Sequence, residues 1–388
     1  MSTLRGGSCM ARRRRLPEEL GIAAVVVLVA AVLSLLSPTF RTVDNAQLLL
    51  LNGTVIAFLA LGQAFVLLTG GIDLSTGSNV ALTGMVAALL MRDGAPWWLA
   101  ALAALGIGAL VGALNGSLIH FLGLPPFIVT FATFGVAASI PLILTGASSV
   151  NVADPLFAIV GRGGLFGIPM PVVLVALSAV VFAVLLRRTP TGVHIYAVGG
   201  NRETARLAGI PIGRVTVLVY ALSGVCAGFG GLIVTSRLMV GYPSAGSGNE
   251  LFYSIAAAVV GGVSLFGGIG SITGALLGAV LIATVSNGMN VLGVESYWQP
   301  LVIGVIILGG VILDTYRRNV SFGDLLRRAR SRSATGAPPA GGPPTGSAPS
   351  ATGPSSGVSR QASPTATPTP TPGGPAAAGS SPTTTTRR

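Results

Sequence analysis

Few residues in this sequence can do chemistry, and their types decide much. All 23 basic residues are arginine, and lysine is absent. A phosphate-binding loop of the G-x-x-x-x-G-K-[ST] kind needs its lysine to reach the terminal phosphates of ATP. This polypeptide cannot carry a standard one, so any nucleotide energy has to come from another subunit. His120 and His194 stand far apart with no cysteine or carboxylate at metal-ligand spacing, and neither a nucleophile elbow nor an H-E-x-x-H run occurs. The expectation is no enzyme: no catalytic residue, no metal and no cofactor held by this chain. Cys9 lies in a polar segment with no apolar stretch before it and Cys226 in an apolar run, so no disulfide between them is expected.

The apolar runs do contain neutral polar side chains: Asn52, Gln63, Asn79, Asn115, Asn287 and Asn290. An amide donates and accepts at once, which suits the mixed hydroxyls of an uncharged polyol or sugar. Amides also serve as plain contacts between helices, and both roles stay open. Asp73, Arg237, Glu250 and Glu295 fall at the ends of runs rather than at mid-depth. Ion-coupled carriers keep carboxylates inside their spans, so this pattern speaks against one. Asp73, beside two glycines, can cap the next helix through Ser75 and the backbone amides. The candidate substrate-pathway residues are Asp73, Ser75, Asn79, Asn115, Asn287 and Asn290.

These side chains are carried by an all-α, polytopic membrane protein. The 388 residues are 51% hydrophobic and 9% charged, far from the roughly 25% charged of a soluble protein. Ten spans are expected at about 20–36, 46–69, 74–91, 97–121, 126–146, 170–186, 214–235, 251–266, 270–292 and 299–314. Proline or glycine marks most joints, among them Pro38, Pro96, Pro125, Pro169, Pro190, Pro211, Pro243 and Pro300. The first run, Gly21 to Leu36 behind Arg12 to Arg15, is slightly long for a signal peptide and is taken as an uncleaved span. The net charge of +12 does not imply nucleic acid, because the arginines cluster beside apolar runs rather than on one soluble face.

Arginine in short loops is retained in the cytoplasm. With ten spans, sixteen arginines fall inside, from Arg5 and Arg12 to Arg15 through Arg187, Arg188, Arg202, Arg206 and Arg214 to the group from Arg317 to Arg332. Only Arg41, Arg92, Arg162 and Arg237 fall outside. Both termini are therefore expected in the cytoplasm. The resulting organisation is a cytoplasmic segment 1–19, a transmembrane domain 20–315 with a large cytoplasmic loop 187–213, a basic juxtamembrane segment 316–332, and a tail 333–388 rich in Pro, Thr and Ser. The tail offers too little apolar surface to offset its ordering entropy and is expected to be disordered.

Two features interrupt the spans. Gly70-Gly71-Ile72-Asp73-Leu74-Ser75-Thr76-Gly77 matches Gly261-Gly262-Val263-Ser264-Leu265-Phe266-Gly267-Gly268 at four of eight positions. Glycine-broken segments in corresponding halves point to a transporter's substrate path, while glycine for close helix packing is the alternative. In the loop, Asn201 can cap a short helix with Glu203 in its first turn, Gly209 can end it, and Pro211 lies beyond. From spacing alone this is a surface helix, and an arginine-anchored connector on anionic lipid would read the same.

Tyr196 to Ile210 resembles the motif around the coupling helix in permease subunits of bacterial ATP-binding-cassette (ABC) importers for monosaccharides, the ribose-type family. Four further blocks are similar to that family and in its order: Thr69 to Ser75, Pro125 to Thr130, Val219 to Gly224 and Val260 to Gly268. The resemblance runs from about residue 20 to 315. It implies the ABC importer permease fold in the bacterial cell membrane, a second permease copy or paralogue, an ABC ATPase subunit that holds the ATP and Mg, and an extracytoplasmic sugar-binding protein. It implies that Glu203, Thr204, Ala205, Arg206, Leu207 and Gly209 form the coupling helix that docks on the ATPase. Permeases for nucleosides and branched-chain amino acids share parts of the pattern, and an ion-coupled secondary carrier is the alternative from another class.

Overall fold

The computed structural model describes residues 18–246, 248–312 and 315. The expectations for most of the N-terminal segment, for the juxtamembrane segment and for the tail lie outside the described residues. Thirteen α-helices follow one another among the described residues, with a short 3-10 helix, Pro38–Arg41, between the first two: α1 Glu18–Leu36, α2 Val43–Leu68, α3 Thr76–Arg92, α4 Trp97–Phe121, α5 Pro126–Thr145, α6 Pro155–Arg162, α7 Met170–Arg188, α8 Pro190–Gly200, α9 Arg202–Leu207, α10 Ile212–Leu238, α11 Glu250–Val260, α12 Ile272–Val291 and α13 Ser296–Ile312. Two short antiparallel ribbons complete them: Val150–Asn151 pairs with Val240–Gly241, and Gly164–Leu165 with Ile168–Pro169.

Proline sets several of the starts. Pro126, Pro155 and Pro190 occupy first-turn positions, where the missing amide has no partner to lose. Asp154 accepts from the amides of Leu156 and Phe157, and Thr189 from that of Gly192, capping α6 and α8.

Each of the ten expected spans coincides with a helix, and seven are long and apolar enough to cross a membrane: α1, α2, α4, α5, α7, α10 and α12. The run 251–266 is the one that shortens markedly. Its helix α11 stops at Val260 after 11 residues, or about 16 Å at 1.5 Å per residue, half of a ~30 Å hydrocarbon layer. Gly262, Gly267 and Gly268 beyond it have φ of +86°, +85° and +75°. Side-chain-bearing residues avoid that region, so hydropathy continues here while the helix cannot.

α2 and α10 form the centre. The α2 residues Thr54 to Leu68 are buried on every side, as a helix enclosed by other helices must be. α1 does the opposite and leaves Val27, Leu28 and Leu35 exposed, a surface suited to lipid. α10 packs most extensively on α4, and glycine makes that possible. Gly108, Gly112 and Gly116 recur every four residues along α4. A Cβ on Gly116 would lie 2.7 Å from the Val217 Cα, and Cβ atoms on Gly108 and Gly112 would overlap the carbonyls of Gly224 and Tyr220. The two backbones are in direct contact, the small-residue packing used where lipid removes the hydrophobic drive.

Candidate functional site

The two glycine octapeptides lie at breaks between helices. The first break, 69–75, joins α2 to α3, and the second, 261–271, joins α11 to α12. At the first, Thr69 ends α2, Gly70 takes a φ of +76°, and the chain folds back into the bundle. Asp73 is consequently only 1% exposed. Its partner Ser223 stands eleven residues into α10, about 16 Å along the axis. Asp73 thus lies between α2 and α3, at the ends of helices as its sequence position implies, and the break folds it into the bundle.

The Asp73 carboxylate organises a buried polar cluster. Its Oδ1 accepts from the Ser75 amide at 3.0 Å and the Ser75 hydroxyl at 2.6 Å, and its Oδ2 accepts from the Ser223 hydroxyl at 2.8 Å. Asp73 thus holds the break itself in a turn, and Ser75 takes the position that caps α3. Asn115 of α4 donates to Ser75 Oγ at 3.0 Å and accepts from Thr133 of α5 at 2.6 Å. Gln63 of α2 donates to the Asp73 carbonyl, while Tyr220 and Thr130 donate to the Ile72 carbonyl at 3.2 and 3.3 Å. Asn79, one turn along α3 from Ser75, directs its amide nitrogen to the Gly108 carbonyl. The Gln63 Oε1 and Asn79 Oδ1 acceptors have no partner among the described residues.

Four of the six candidate pathway residues, Asp73, Ser75, Asn79 and Asn115, are therefore brought together. The other two are not. Asn287 of α12 exchanges two amide hydrogen bonds, of 3.1 and 3.0 Å, with Asn45 of α2, and Asn290 accepts from Gln299 at 2.7 Å. Thr130, Thr133, Tyr220 and Ser223 were absent from the sequence-derived set, although Tyr220 and Ser223 share one face of α10 by their three-residue spacing.

The Asn45–Asn287 pair is a test of its own. Either single change to alanine strands the partner's amide in a low-dielectric interior and should destabilise the protein by about 1–3 kcal/mol. The double alanine variant should cost less than the sum by about 1 kcal/mol, read as a double-mutant cycle of thermal unfolding in detergent.

The short helix in the long loop forms as its sequence implies. Asn201 Oδ1 accepts from the Thr204 amide at 2.9 Å. At the other end the amides of Gly209 and Ile210 donate to the carbonyls of Arg206 and Ala205 at 3.0 and 3.1 Å, with Gly209 at φ +77°. This is a Schellman closure. Ala205 faces inward, Leu207 is 80% exposed, and Glu203 pairs with Arg206 across 2.7 Å on the outer face. On α8, Tyr196 donates to the Gly270 carbonyl at 2.8 Å, and burial raises its phenol above the ordinary range, so it stays a donor.

A family model described as the permease component of branched-chain amino acid transport systems matches residues 45–311. The chain belongs to this permease family. Among curated relatives it is 39% identical over 308 residues to the ribose import permease of Escherichia coli, covering 78% of this chain and 95% of the relative. It is 37% identical over 299 residues to the D-allose transport system permease of the same species, covering 76% and 91%. It is 38% identical over 299 residues to the L-arabinose ABC transporter permease of Azospirillum brasilense, covering 77% and 88%. No solved structure matches the chain. The matched range of this permease runs from α2 through α13, so both helix breaks, the polar cluster and the α8–α9 loop belong to the family's common part.

Proposed function

We propose that this chain is the membrane-spanning subunit of an ABC importer that carries a monosaccharide into the cytoplasm. The observation that carries the reading is the near-full-length likeness to permeases named for ribose, allose and arabinose, against a family description that names branched-chain amino acids. A buried cluster rich in hydroxyls and amides supports the same side of that choice, since an amino-acid zwitterion needs paired charges and a sugar needs mixed donors and acceptors. Asp73, Ser75, Asn79 and Asn115 then stand on the sugar's path, and Gln63 Oε1 and Asn79 Oδ1 are acceptors available to sugar hydroxyls when the cluster opens.

In this reading α9 lies on the cytoplasmic side and docks on a separate ATPase subunit, which supplies ATP, Mg and hydrolysis. An extracytoplasmic sugar-binding protein delivers the substrate, and a second permease copy or paralogue completes the channel. The exposed Leu207 and the Glu203–Arg206 pair offer an apolar knob beside a charged rim. A helix in contact with two states of the ATPase shifts the bundle only as far as its contacts with those states differ in free energy.

The test is uptake of radiolabelled ribose, allose, arabinose and leucine in cells expressing the wild type or an Arg206→Glu plus Leu207→Asp variant, at matched surface expression. One sugar accumulated by the wild type and at least tenfold less by the variant is the expected result. Unchanged uptake in the variant removes α9 from coupling. Uptake of leucine but of no sugar moves the substrate to the amino-acid class.

A further inference from the structure

Where α8 ends, three backbones meet with no side chain between them. The Gly268 amide of the second break donates to the carbonyl of Leu68, the last residue of α2, at 2.9 Å. Gly199, in the last turn of α8, fills the angle between them: a Cβ there would overlap the Leu68 carbonyl and lie 2.6 Å from the Gly268 nitrogen. A Cβ on Gly267 would lie 2.9 Å from both the Gly199 carbonyl and the Gly70 nitrogen, so the first break belongs to the same knot. One turn earlier Tyr196 holds the Gly270 carbonyl. Just past it, Glu19 of α1 accepts from the hydroxyls of Ser271 and Thr273 at 2.9 and 2.7 Å, so the exit of the second break is gripped from two sides. α8 is joined to α9 by Asn201 alone, whose side chain is spent on capping α9.

The geometry points to a transmission junction: Tyr196 and Gly199 act as positioning residues that pass a displacement of α9 to both helix breaks at once. Side chains absorb a shift of an ångström by changing rotamer. Backbone packed on backbone has no such slack, and a one-residue link gives the two short helices little freedom to move separately. The two octapeptides belong to different halves of the chain, so one push at α8 reaches the Asp73 turn through Leu68 and Gly70, and the α11–α12 turn through Gly267 to Gly270. The inference rests on the reading that α9 meets the ATPase.

The experiment uses the full-length permease co-purified with its ATPase subunit. Single cysteines are placed at Thr69 and Ile269, one in each break, in a Cys9→Ser plus Cys226→Ala background, and maleimide labelling is followed with and without ATP and vanadate. The expected result is a nucleotide-dependent change in labelling at both positions. Gly199→Ala, whose Cβ must push the three backbones apart, should reduce that change about tenfold at both, read on preparations matched for monodispersity and ATPase association. Tyr196→Phe, which removes one hydroxyl and adds no bulk, should reduce it about two- to tenfold at Ile269 and leave Thr69 near wild type, the range expected for one hydrogen bond. Nucleotide-dependent labelling equal to wild type in both variants overturns the junction. So does an equal loss of ATPase association and nucleotide-free labelling pattern in Tyr196→Phe, which marks a structural role only. The Arg206→Glu plus Leu207→Asp variant separates the underlying reading: if it retains the ATPase and its nucleotide response, α9 is not the docking element and that reading fails on its own.

Discussion

Leucine in place of Gly112 should prevent the permease from folding stably, whereas leucine in place of Gly106 on the same helix should be nearly silent. The contrast isolates packing from composition, because both variants add one leucine to α4. A Cβ on Gly112 overlaps the Tyr220 carbonyl and approaches the Ala221 Cα to 3.0 Å, while a Cβ on Gly106 meets nothing within 4 Å. At Gly112 the obstructing atoms are backbone, so α4 must move away from α10 along their whole contact. Overpacking of an ordinary core costs about 1–3 kcal/mol. Separation of two glycine-packed helices also removes the dispersion contacts along the seam, so about 4 kcal/mol or more is expected, among the largest effects seen for single substitutions. The check is the monodisperse fraction on size exclusion and the unfolding temperature in one detergent. Equal behaviour of the two variants would show that the seam between α4 and α10 does not carry the fold.

That seam was partly legible in the sequence. Glycine at four-residue intervals in an apolar run signals close packing, but Gly106 interrupts the same run and nothing in the spacing tells which partner the stripe faces. Hydropathy and proline positions located ten helices for the same reason that makes them necessary: a chain in lipid must satisfy its own backbone, so each apolar run has little choice but to become a helix. The run 251–266 shows the limit of that reasoning. Its apolar character continues past Val260, yet Gly262 takes a φ of +86° and the turn from Ser264 to Ile269 is closed by a 2.9 Å backbone hydrogen bond, with Ser264 buried and Phe266 and Ile269 exposed. Backbone hydrogen bonds within the turn and from the Gly268 amide to the Leu68 carbonyl relieve the demand for a helix, and a sequence read one run at a time cannot contain a partner so distant in the chain.

The polar cluster shows the same boundary from the side of chemistry. Asp73, Ser75, Asn79 and Asn115 stood out as polar types in apolar surroundings, and the fold gathers them. Thr130, Thr133 and Ser223 did not stand out, because a hydroxyl on a membrane helix normally returns to the carbonyl one turn back. Thr130 does that with Pro126 at 2.9 Å while also reaching Ile72. Asn287 stood out equally and pairs with Asn45 instead, 242 residues away in the chain. Residue type tells that a polar group in a span needs a partner, but only the fold says whether that partner is a ligand or another residue.

Asp73 is the position where stability and transport should separate most cleanly. Asp73→Ala leaves the Ser75 amide without its acceptor, and with it two serine hydroxyls that can turn only toward weaker partners. A loss of about 3–5 kcal/mol is expected, since buried donors stripped of a charged acceptor bear the full desolvation penalty. Asp73→Asn keeps the shape. Its carbonyl oxygen can face Ser75, and its amide can donate to the Ser223 hydroxyl, which rotates to accept. The asparagine variant should therefore lie within about 1 kcal/mol of wild type in stability, the worth of one rearranged hydrogen bond. Its sugar uptake should nevertheless fall about three- to tenfold, because a hydrogen bond from a sugar hydroxyl to a carboxylate is worth about 1.5–3 kcal/mol and one to a neutral amide about half of that. Thermal unfolding and uptake measured on the same preparations decide between two roles. A stable Asp73→Asn variant with full uptake confines the carboxylate to shaping the α2–α3 turn, and a stable one with little uptake places its charge on the path of the sugar.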